Sequence, residues 1–232
     1  MMKMSQSSGL PLVTVVTPSL NTGRYVSATI SSIRAQSYKN LQHIVVDGGS
    51  ADETLDLLRG YKDIELAFDD GNILSAYRIG FELAKGKYIV QCCFSDGFVD
   101  PDWIRRGVEA LENDGEVDLV WALPQYMDER GLLGKISYDF FQDIDPPSKQ
   151  ANFFHFFVNT GFVFPEGNYI CEASIIKELF PNELSAEHYQ TMAHLGFMYE
   201  FMRRGLNSKF LGGVANYGRI HDEQRGQRFK CI

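Results

Sequence analysis

The sequence predicts an α/β fold in which a mainly parallel sheet carries helices on both faces. Segments typical of strands and of amphipathic helices alternate through the first half of the chain, which is the order that a parallel sheet requires. The first strand segment is rich in β-branched residues and unbroken, as expected of a strand that is buried on both faces. The length of 232 residues and the charged fraction of 22% suit a single globular domain.

The first strand is predicted at Leu12–Thr17 and ends at Pro18. The helix that follows places Val26, Ile30 and Ile33 on one apolar face. A buried strand followed by a helix with one apolar face is the first unit of such a sheet.

The second strand is predicted at Leu41–Val46, and the turn Asp47–Ser50 closes it. Ser50 and Glu53 fit a capping box, which predicts a short second helix. The third strand is predicted at Ile64–Phe68.

A third helix is predicted from about Ile73, because Ala76, Gly80 and Leu83 are spaced to pack closely against a sheet. Lys87–Phe94 is the fourth predicted strand. Its apolar run again suits a buried position in the sheet.

The turn Ser95–Gly97 leads into the last elements of the first half. Asp100 and Pro101 predict the start of a helix, with an aspartate N-cap and a proline in the first turn. Asp118–Leu123 is the fifth predicted strand.

The second half is less regular. Residues 124–170 are rich in aromatic and loop residues and include the run Phe153–Phe157. A long helix is predicted at about Ala186–Arg204, with Ser185 as its N-cap. A short tail holds Gly212–Gly213 and then His221.

Polar clusters follow four of the predicted strands, at Thr17–Asn21, Asp47–Ser50, Asp69–Asn72 and Ser95–Gly97. Ligands of open parallel sheets bind beyond the carboxyl ends of the strands. The clusters therefore predict a binding site at that edge of the sheet.

Charge and composition argue against a nucleic-acid binder, a cysteine metal site and a membrane-spanning protein. The net charge of −8 and the lack of a basic stripe argue against a general nucleic-acid binder. The four cysteines show no paired metal-ligand spacing, and Cys92 and Cys93 lie in an apolar run that predicts core thiols. No stretch approaches the ~20 apolar residues of a membrane span, so a cytoplasmic location is expected.

The run Val13–Asn21 resembles the first strand and TPSYN turn of the inverting family-two glycosyltransferases, which have the GT-A fold, with Leu20 in the place of the tyrosine. The segments Ser37–Leu41 and Val45–Thr54 are similar to the second conserved block of that family. The resemblance is dense through residue 100 and thin beyond it. Positions of the third block are matched by Asp70, Ala76, Gly80, Ala84 and Gly86.

This resemblance implies one GT-A domain over residues 1–232. Residues 1–123 or so would bind the nucleotide-sugar, and about 124–232 would bind the acceptor and supply a C-terminal lid. The implied reaction transfers a sugar, with inversion, from a UDP-sugar to the hydroxyl of a surface glycan or lipid-linked saccharide. The implied cofactor is Mn²⁺ or Mg²⁺, and polysaccharide biosynthesis is the implied setting.

The donor site follows from the family motifs. Asp47 would accept the imide N–H of the base. The alternative role for Asp47 is to form an Asx-type turn before the second helix. Thr17, Ser19 and Asn21 would offer hydroxyl and amide contacts, and a plain turn is the alternative for Ser19. The full set of expected nucleotide contacts is Thr17, Pro18, Ser19, Asn21, Asp47, Gly48, Asp70, Ser75, Arg78, Ser95 and Asp96.

The sequence departs from the family at several site positions. Ser75 and Arg78 replace an acidic residue and an asparagine, and Arg78 fits either a phosphate contact or a solvated helix position. Asp96 stands alone where the family has a DxD or DD metal element, and one carboxylate suffices when phosphates supply other ligands. His221 is the second expected metal ligand and fits a lid near the diphosphate. Arg219 and Arg225 fit phosphate clamps, or a disordered tail.

The catalytic base is also replaced. Aligning Gly205–Phe210 with the strand that follows the family's long helix places His194 where the family has its aspartate. Histidine can accept a proton near neutral pH, and a packing residue is the alternative. Glu187, in the first turn of the same predicted helix, is the reserve base.

Other interpretations stay open. The single metal carboxylate and the replaced catalytic base also fit a catalytically impaired GT-A subunit that binds nucleotide or serves as a scaffold. A nucleotidyltransferase needs a glycine-rich, basic first turn, which Pro18–Asn21 is not. The aromatic run Phe153–Phe157 fits core, acceptor wall or a patch at the inner membrane face. The chain also fits one module of a longer enzyme.

Overall fold

The computed structural model describes residues 9–70, 72–131, 133–136, 168–181 and 193–220. Within these ranges nine strands form one sheet, and six helices pack on it. The strands are β1 Val13–Ser19, β2 Leu41–Asp47, β3 Ile64–Phe68, β4 Tyr88–Gln91, β5 Gly97–Phe98, β6 Leu119–Met127, β7 Leu133–Ile136, β8 Tyr169–Glu172 and β9 Ser208–Arg219. The helices are α1 Gly23–Arg34, α2 Thr54–Leu58, α3 Ile73–Leu83, α4 Trp103–Asn113, α5 Ala173–Leu179 and α6 Ala193–Arg203.

The strand order is β3-β2-β1-β4-β8-β6-β9-β5, and β7 pairs with β6. The first four strands run parallel to one another. In the second half β8 lies antiparallel between β4 and β6, while β9 runs parallel to β6. The predicted α/β class is confirmed, with a mixed rather than parallel arrangement in the second half.

Strand register brings the predicted polar clusters to one edge. Ser19 at the end of β1 pairs with Asp47 at the end of β2, and Asp47 pairs with Phe68 at the end of β3. On the other side of β1, Val16 pairs with Gln91 at the end of β4. The turns after these four strands therefore leave the sheet side by side.

The core has a layer on each face of the sheet. Helices α3, α5 and α6 cover one face, where Val16, Ile89 and Phe197 are fully buried. Helices α1, α2 and α4 cover the other, which includes Val90 and Trp103. Burial of these side chains supplies the main stabilising free energy of the fold. The helices lie on both faces, as predicted.

Three strands end two or more residues away from the predicted position. Strand β1 continues past Pro18 to Ser19, because β4 pairs with β1 only as far as Val16 and no ladder bond is lost at the proline. Strand β4 ends at Gln91, and β6 continues to Met127.

The predicted capping box of α2 is wrong. The Ser50 hydroxyl donates to Asp47 Oδ2 at 2.7 Å instead of capping the helix, and Glu53 makes no side-chain cap bond. Asp52 Oδ1 accepts the Thr54 N–H at 3.0 Å and takes that role.

Two helix predictions also need correction. Helix α4 begins at Trp103 rather than at Pro101, because Asp100 Oδ1 accepts the Asp102 N–H at 2.8 Å and forms a turn before the helix. Leu83, predicted to pack on the sheet, is 37% exposed at the end of α3.

Some predictions lie outside the described residues, including the start of the long helix, Glu187, the run Phe153–Phe157 and His221. The described part of that helix, α6, confirms its second half. Cys92 is buried, as predicted for both neighbouring cysteines, whereas Cys93 is only half-buried. In the part of the chain that the structure describes, no helix has the length and apolar character needed to cross a bilayer.

Candidate functional site

Asp47 organises the turn after β2. Its side chain is fully buried, and Oδ1 accepts the N–H groups of Gly49 at 3.0 Å and Ser50 at 2.7 Å. Oδ2 accepts the hydroxyls of Ser19 at 2.9 Å and Ser50 at 2.7 Å. These four bonds fill the acceptor positions of a carboxylate. The Asx-type turn is present, so a contact between Asp47 and a nucleotide base requires one of these donors to be released.

The β1 turn is joined to the β2 turn by direct hydrogen bonds. Asn21 has a φ of 52°, its N–H donates to Ser50 Oγ at 2.8 Å, and its Oδ1 accepts the Ala51 N–H at 2.8 Å. Gly48 N–H donates to the Ser19 carbonyl at 2.8 Å. These hydrogen bonds join the two turns into one unit at the edge of the sheet.

Thr17 and Pro18 point into the sheet layers rather than to solvent. The Thr17 hydroxyl lies 2.9 Å from His43 Nε2, and both side chains are buried. Burial lowers the pKa of His43 to about 4, with Asp63 and Arg34 acting in opposite directions. Pro18 is also buried. Thr17 and Pro18, which were predicted to contact the nucleotide, are therefore buried residues that support the turn.

Asp96 follows β4 in a strained turn. The preceding Ser95 has a φ of 94°, a region that non-glycine residues rarely adopt. Asp96 Oδ1 accepts the Arg219 N–H at 3.1 Å and the Ser95 hydroxyl at 3.2 Å. Burial raises the pKa of the Asp96 carboxyl to about 6, which the bond from Arg219 partly opposes. A bound cation would stabilise the ionised carboxylate.

Arg219 is a buried anchor for this turn. Its Nε donates to the Ser95 carbonyl at 3.2 Å, and its Nη1 donates to the Asp128 carbonyl at 3.0 Å. The guanidinium also lies 5.2 Å from the Tyr25 ring centre and 5.6 Å from that of Tyr217. The side chain is 7% exposed, so it holds protein carbonyls instead of standing as the free phosphate clamp expected from the sequence.

The turn after β3 contains an unexpected acceptor. Asp70 is exposed, whereas the Oδ2 atom of Asp69 is buried and has no hydrogen-bond partner in the described chain. Asn72 caps α3 by accepting the Leu74 N–H at 2.9 Å. Sequence reasoning placed Asp69 in a polar cluster without singling it out. Ser75 and Arg78 lie half-buried on α3.

His194 lies at the start of α6 among aromatic rings. Its Nδ1 is 3.2 Å from the Tyr169 hydroxyl, which also accepts the Gln91 amide N–H at 2.9 Å. Ring centres of Tyr77 and Phe180 lie 5.5 Å and 5.6 Å from that of His194. The Nε2 atom is shielded from solvent. Sequence reasoning did not find Gln91, Tyr77 or Tyr169, whose roles come from tertiary contacts.

A path of contacts connects two predicted site residues, one from each half of the chain. The Tyr77 hydroxyl lies 3.1 Å from Cys93 Sγ, and the Cys93 carbonyl accepts the Asp96 N–H at 3.1 Å. Tyr77 also contacts His194. A continuous path of contacts therefore runs from Asp96 to His194.

The donor set of this region fits one type of metal site. Within the described ranges, no group of three or more His, Cys, Asp or Glu side chains is arranged to hold a metal ion. Asp96 supplies one carboxylate, and hard divalent ions accept few protein ligands when phosphate oxygens supply the rest. The residues fit a metal that binds together with a diphosphate. They do not fit a closed all-protein site.

A cavity of about 730 Å³ lies beside this region at the β6–β7 hairpin. It adjoins the Asp96 turn, because the Asp128 carbonyl binds Arg219 and the Met127 carbonyl accepts the Ile220 N–H at 2.8 Å. Its described lining combines apolar and charged side chains. They are Tyr126, Met127, Asp128, Glu129, Arg130, Leu133, Lys135 and Ile220, with Gly134.

The sequence matches that of known enzymes. The sequence model described as glycosyl transferase family 2 matches residues 14–167. An uncharacterized glycosyltransferase of Mycobacterium tuberculosis is 34% identical over 115 residues, which are 48% of this chain and 44% of that protein. Glycosyltransferase AglE of Haloferax volcanii is 28% identical over 148 residues, 60% of this chain and 47% of that protein. The matches thus span about half the length of these relatives.

Solved structures show the same fold. Residues 1–349 of Staphylococcus aureus TarS, in complex with UDP-GlcNAc, align with 95% of this chain and 61% of that one, at a TM-score of 0.70 and 14% identity. The mannosyltransferase PcManGT of Pyrobaculum calidifontis, in complex with GDP-Man and Mn²⁺, aligns with 93% of this chain and 58% of that one, at a TM-score of 0.63 and 16% identity. The architecture is that of GT-A glycosyltransferases.

Proposed function

Since the chain belongs to glycosyl transferase family 2, we propose that it transfers a sugar from a UDP-sugar to a hydroxyl acceptor with inversion of configuration. The observation that carries the proposal is the path of contacts from Asp96 to His194. It joins a carboxylate suited to a metal-bound diphosphate with an imidazole suited to proton transfer. Both lie at the carboxyl-end edge of the sheet, where ligands of α/β folds bind.

The nucleotide is assigned to the joined turns after β1, β2 and β3. Asn21 and Gly48 join the turns after β1 and β2, and the Asp69 N–H joins the turn after β3 to them by donating to the Asp47 carbonyl at 2.9 Å. The carboxylates of Asp47 and Asp69 follow the ends of neighbouring strands. A carboxylate there can accept the imide N–H of uracil. The fold neighbours bind UDP-GlcNAc or GDP-Man, so the choice of base belongs to the test below.

Asp96 would hold the divalent metal. When bound, such an ion neutralises the charge that develops on the departing nucleoside diphosphate. The chain's own contribution is orientation: the Ser95 hydroxyl and the Arg219 N–H fix Oδ1. Ser75 and Arg78 of α3, together with the exposed Asp70, are proposed to contact the donor. His221 is proposed as a further contact near the diphosphate.

Inversion requires one displacement at the anomeric carbon. The acceptor oxygen forms its bond to that carbon as the bond to the diphosphate oxygen breaks, and Nε2 of His194 takes the acceptor proton. Because this nitrogen is shielded in the structure, acceptor binding must expose it. Glu187 is the reserve base.

The acceptor is assigned to the cavity at the β6–β7 hairpin. Tyr126 is 43% exposed there and offers a face on which a sugar ring can stack. Its charged neighbours, including Glu129 and Lys135, suit a polar saccharide. We propose a glycan or a lipid-linked saccharide as the acceptor class, which places the reaction in polysaccharide biosynthesis and allows contact with a membrane surface.

Calorimetric titration with UDP and with GDP, each with and without Mn²⁺, tests the donor site. UDP is expected to bind more tightly with Mn²⁺ than without it. In the presence of Mn²⁺, Asp96→Asn is expected to raise the dissociation constant for UDP about tenfold, which is ~1.4 kcal/mol. Asp114→Asn is the matched control, since Asp114 pairs with Lys209 at the end of α4. Absence of binding to either nucleotide would sink the proposal.

Transfer itself needs a second assay. Slow hydrolysis of UDP-sugars by the wild-type protein, lost in His194→Asn, is expected of the enzyme. Nucleotide binding without hydrolysis or transfer would instead support the scaffold subunit that the single metal carboxylate and the replaced base also fit.

A further inference from the structure

Three buried or half-buried side chains form a hydrogen-bonded chain across the sheet. The Gln91 amide Nε2 donates to the Tyr169 hydroxyl at 2.9 Å, and that hydroxyl lies 3.2 Å from His194 Nδ1. Gln91 and Tyr169 are each 1% exposed. They belong to the antiparallel neighbours β4 and β8, so the sheet fixes their separation.

The direction of this chain decides which nitrogen of His194 carries the proton. A hydroxyl has one hydrogen to donate, and accepting a bond from one neighbour polarises it to donate to the next. With the Gln91 amide N–H facing Tyr169, the Tyr169 O–H donates to Nδ1. Neutral His194 is then protonated at Nε2, where it presents a donor and no lone pair.

Reversing the direction of these hydrogen bonds gives the opposite tautomer of His194. If the Gln91 amide turns by half a rotation, its oxygen accepts the Tyr169 O–H, and the Tyr169 oxygen accepts an Nδ1–H bond. The lone pair of the neutral imidazole then resides on Nε2 of His194. In the structure the Gln91 Oε1 atom is buried without a hydrogen-bond partner in the described chain, and the turned amide would place its two N–H groups at that position instead.

We propose that Tyr169 is a positioning residue that relays the orientation of the Gln91 amide to His194. In the resting protein the relay keeps His194 protonated at Nε2. Its reversal converts the imidazole into a base. The catalytic meaning of the relay rests on the proposed function, whereas the relay itself is a property of the folded chain.

The test is ¹⁵N NMR of histidine-labelled protein near neutral pH, which distinguishes Nδ1–H from Nε2–H in each imidazole. His194→Asn identifies the signals of His194, and buried His43 serves as an internal reference that the variants leave unchanged. The wild type is expected in the Nε2–H form. Tyr169→Phe is expected to give both tautomers, and Gln91→Glu, which only accepts when ionised, to move His194 toward Nδ1–H.

Two results would overturn the relay. One is a wild-type protein that is already Nδ1–H, and the other is an unchanged tautomer in both variants. A thermal melt and an unshifted His43 signal verify that each variant is folded. If the tautomer responds as expected and no sugar is transferred, the relay stands and the proposed function fails.

Discussion

The main-chain N–H of Arg219 donates a hydrogen bond to Oδ1 of Asp96 at 3.1 Å. The two residues are 123 positions apart in the sequence, and the bond joins the end of β9 to the turn after β4. The guanidinium of the same arginine holds the carbonyl of Ser95. The position of the candidate metal ligand is therefore set by the last described strand of the sheet.

Replacing Arg219 by methionine is expected to lower the free energy of unfolding by about 2–4 kcal/mol, because the buried carbonyls of Ser95 and Asp128 lose a charged donor. Arg24→Met is the control, since Arg24 is exposed and lies 4.6 Å from the Tyr25 ring centre. Urea unfolding measures both. Equal losses in the two variants would contradict the anchoring role.

Substituting Asp47 separates its structural role from nucleotide recognition. Asp47→Ala leaves the N–H groups of Gly49 and Ser50 without their acceptor, and we expect a loss of about 2–4 kcal/mol in the free energy of unfolding. Asp47→Asn keeps one oxygen and is expected to lose less. If Asp47→Ala kept wild-type stability but lost UDP affinity, the base contact would be its main role.

The contact between α3 and β1 leaves no room at Gly80. A Cβ atom there would lie 2.3 Å from Cγ1 of the fully buried Val16. Gly80→Ala is expected to cost about 1–2 kcal/mol, the clash being partly offset by a better helix propensity. The double variant with Val16→Ala is expected to cost about 1 kcal/mol less than the sum of the single variants. Simple additivity in urea unfolding would show that no clash occurs.

Burial of His43 predicts a pH-dependent stability. Its pKa is lowered to about 4 in the fold and is about 6.5 in the unfolded chain, so the unfolded state binds more protons between these values. Stability is therefore complete above pH 6.5 and falls as the pH decreases. This group alone is expected to lower the free energy of unfolding by about 2 kcal/mol between pH 7 and pH 5.

The control for this prediction is His43→Gln, which keeps a side chain able to bond the Thr17 hydroxyl. Urea unfolding of both proteins at pH 7 and pH 5 gives the comparison. The variant is expected to lose about 2 kcal/mol less than the wild type over that range. An identical loss would mean that His43 does not set the acid sensitivity.

Local sequence patterns predicted the sheet and the clustering of turns, because strand alternation and parallel pairing are encoded within short segments. These patterns failed where one side chain has two candidate partners in the fold. Ser50 matched a capping box, yet its hydroxyl binds Asp47, since a buried carboxylate gains more from that donor than the helix end does. Segment patterns alone do not contain that competition.

The sequence predicted the candidate site residues that follow strand ends, but it did not predict the buried residues that support them. Asp96 and His194 were predicted as site residues from their positions in the sequence, and contacts through Cys93 and Tyr77 link them. Their supports, Arg219 and Tyr169, depend on contacts across the sheet: Gln91 and Tyr169 are 78 residues apart. No periodicity or motif encodes such a pair.

The placement of β8 between β4 and β6 has a consequence for biosynthesis. A chain cut after Leu123 would carry β4 with one unpaired edge, because β8 would be missing. On the ribosome the same edge stays open until Glu172 has emerged. During that interval the newly made sheet exposes an unpaired strand edge that can pair with other chains.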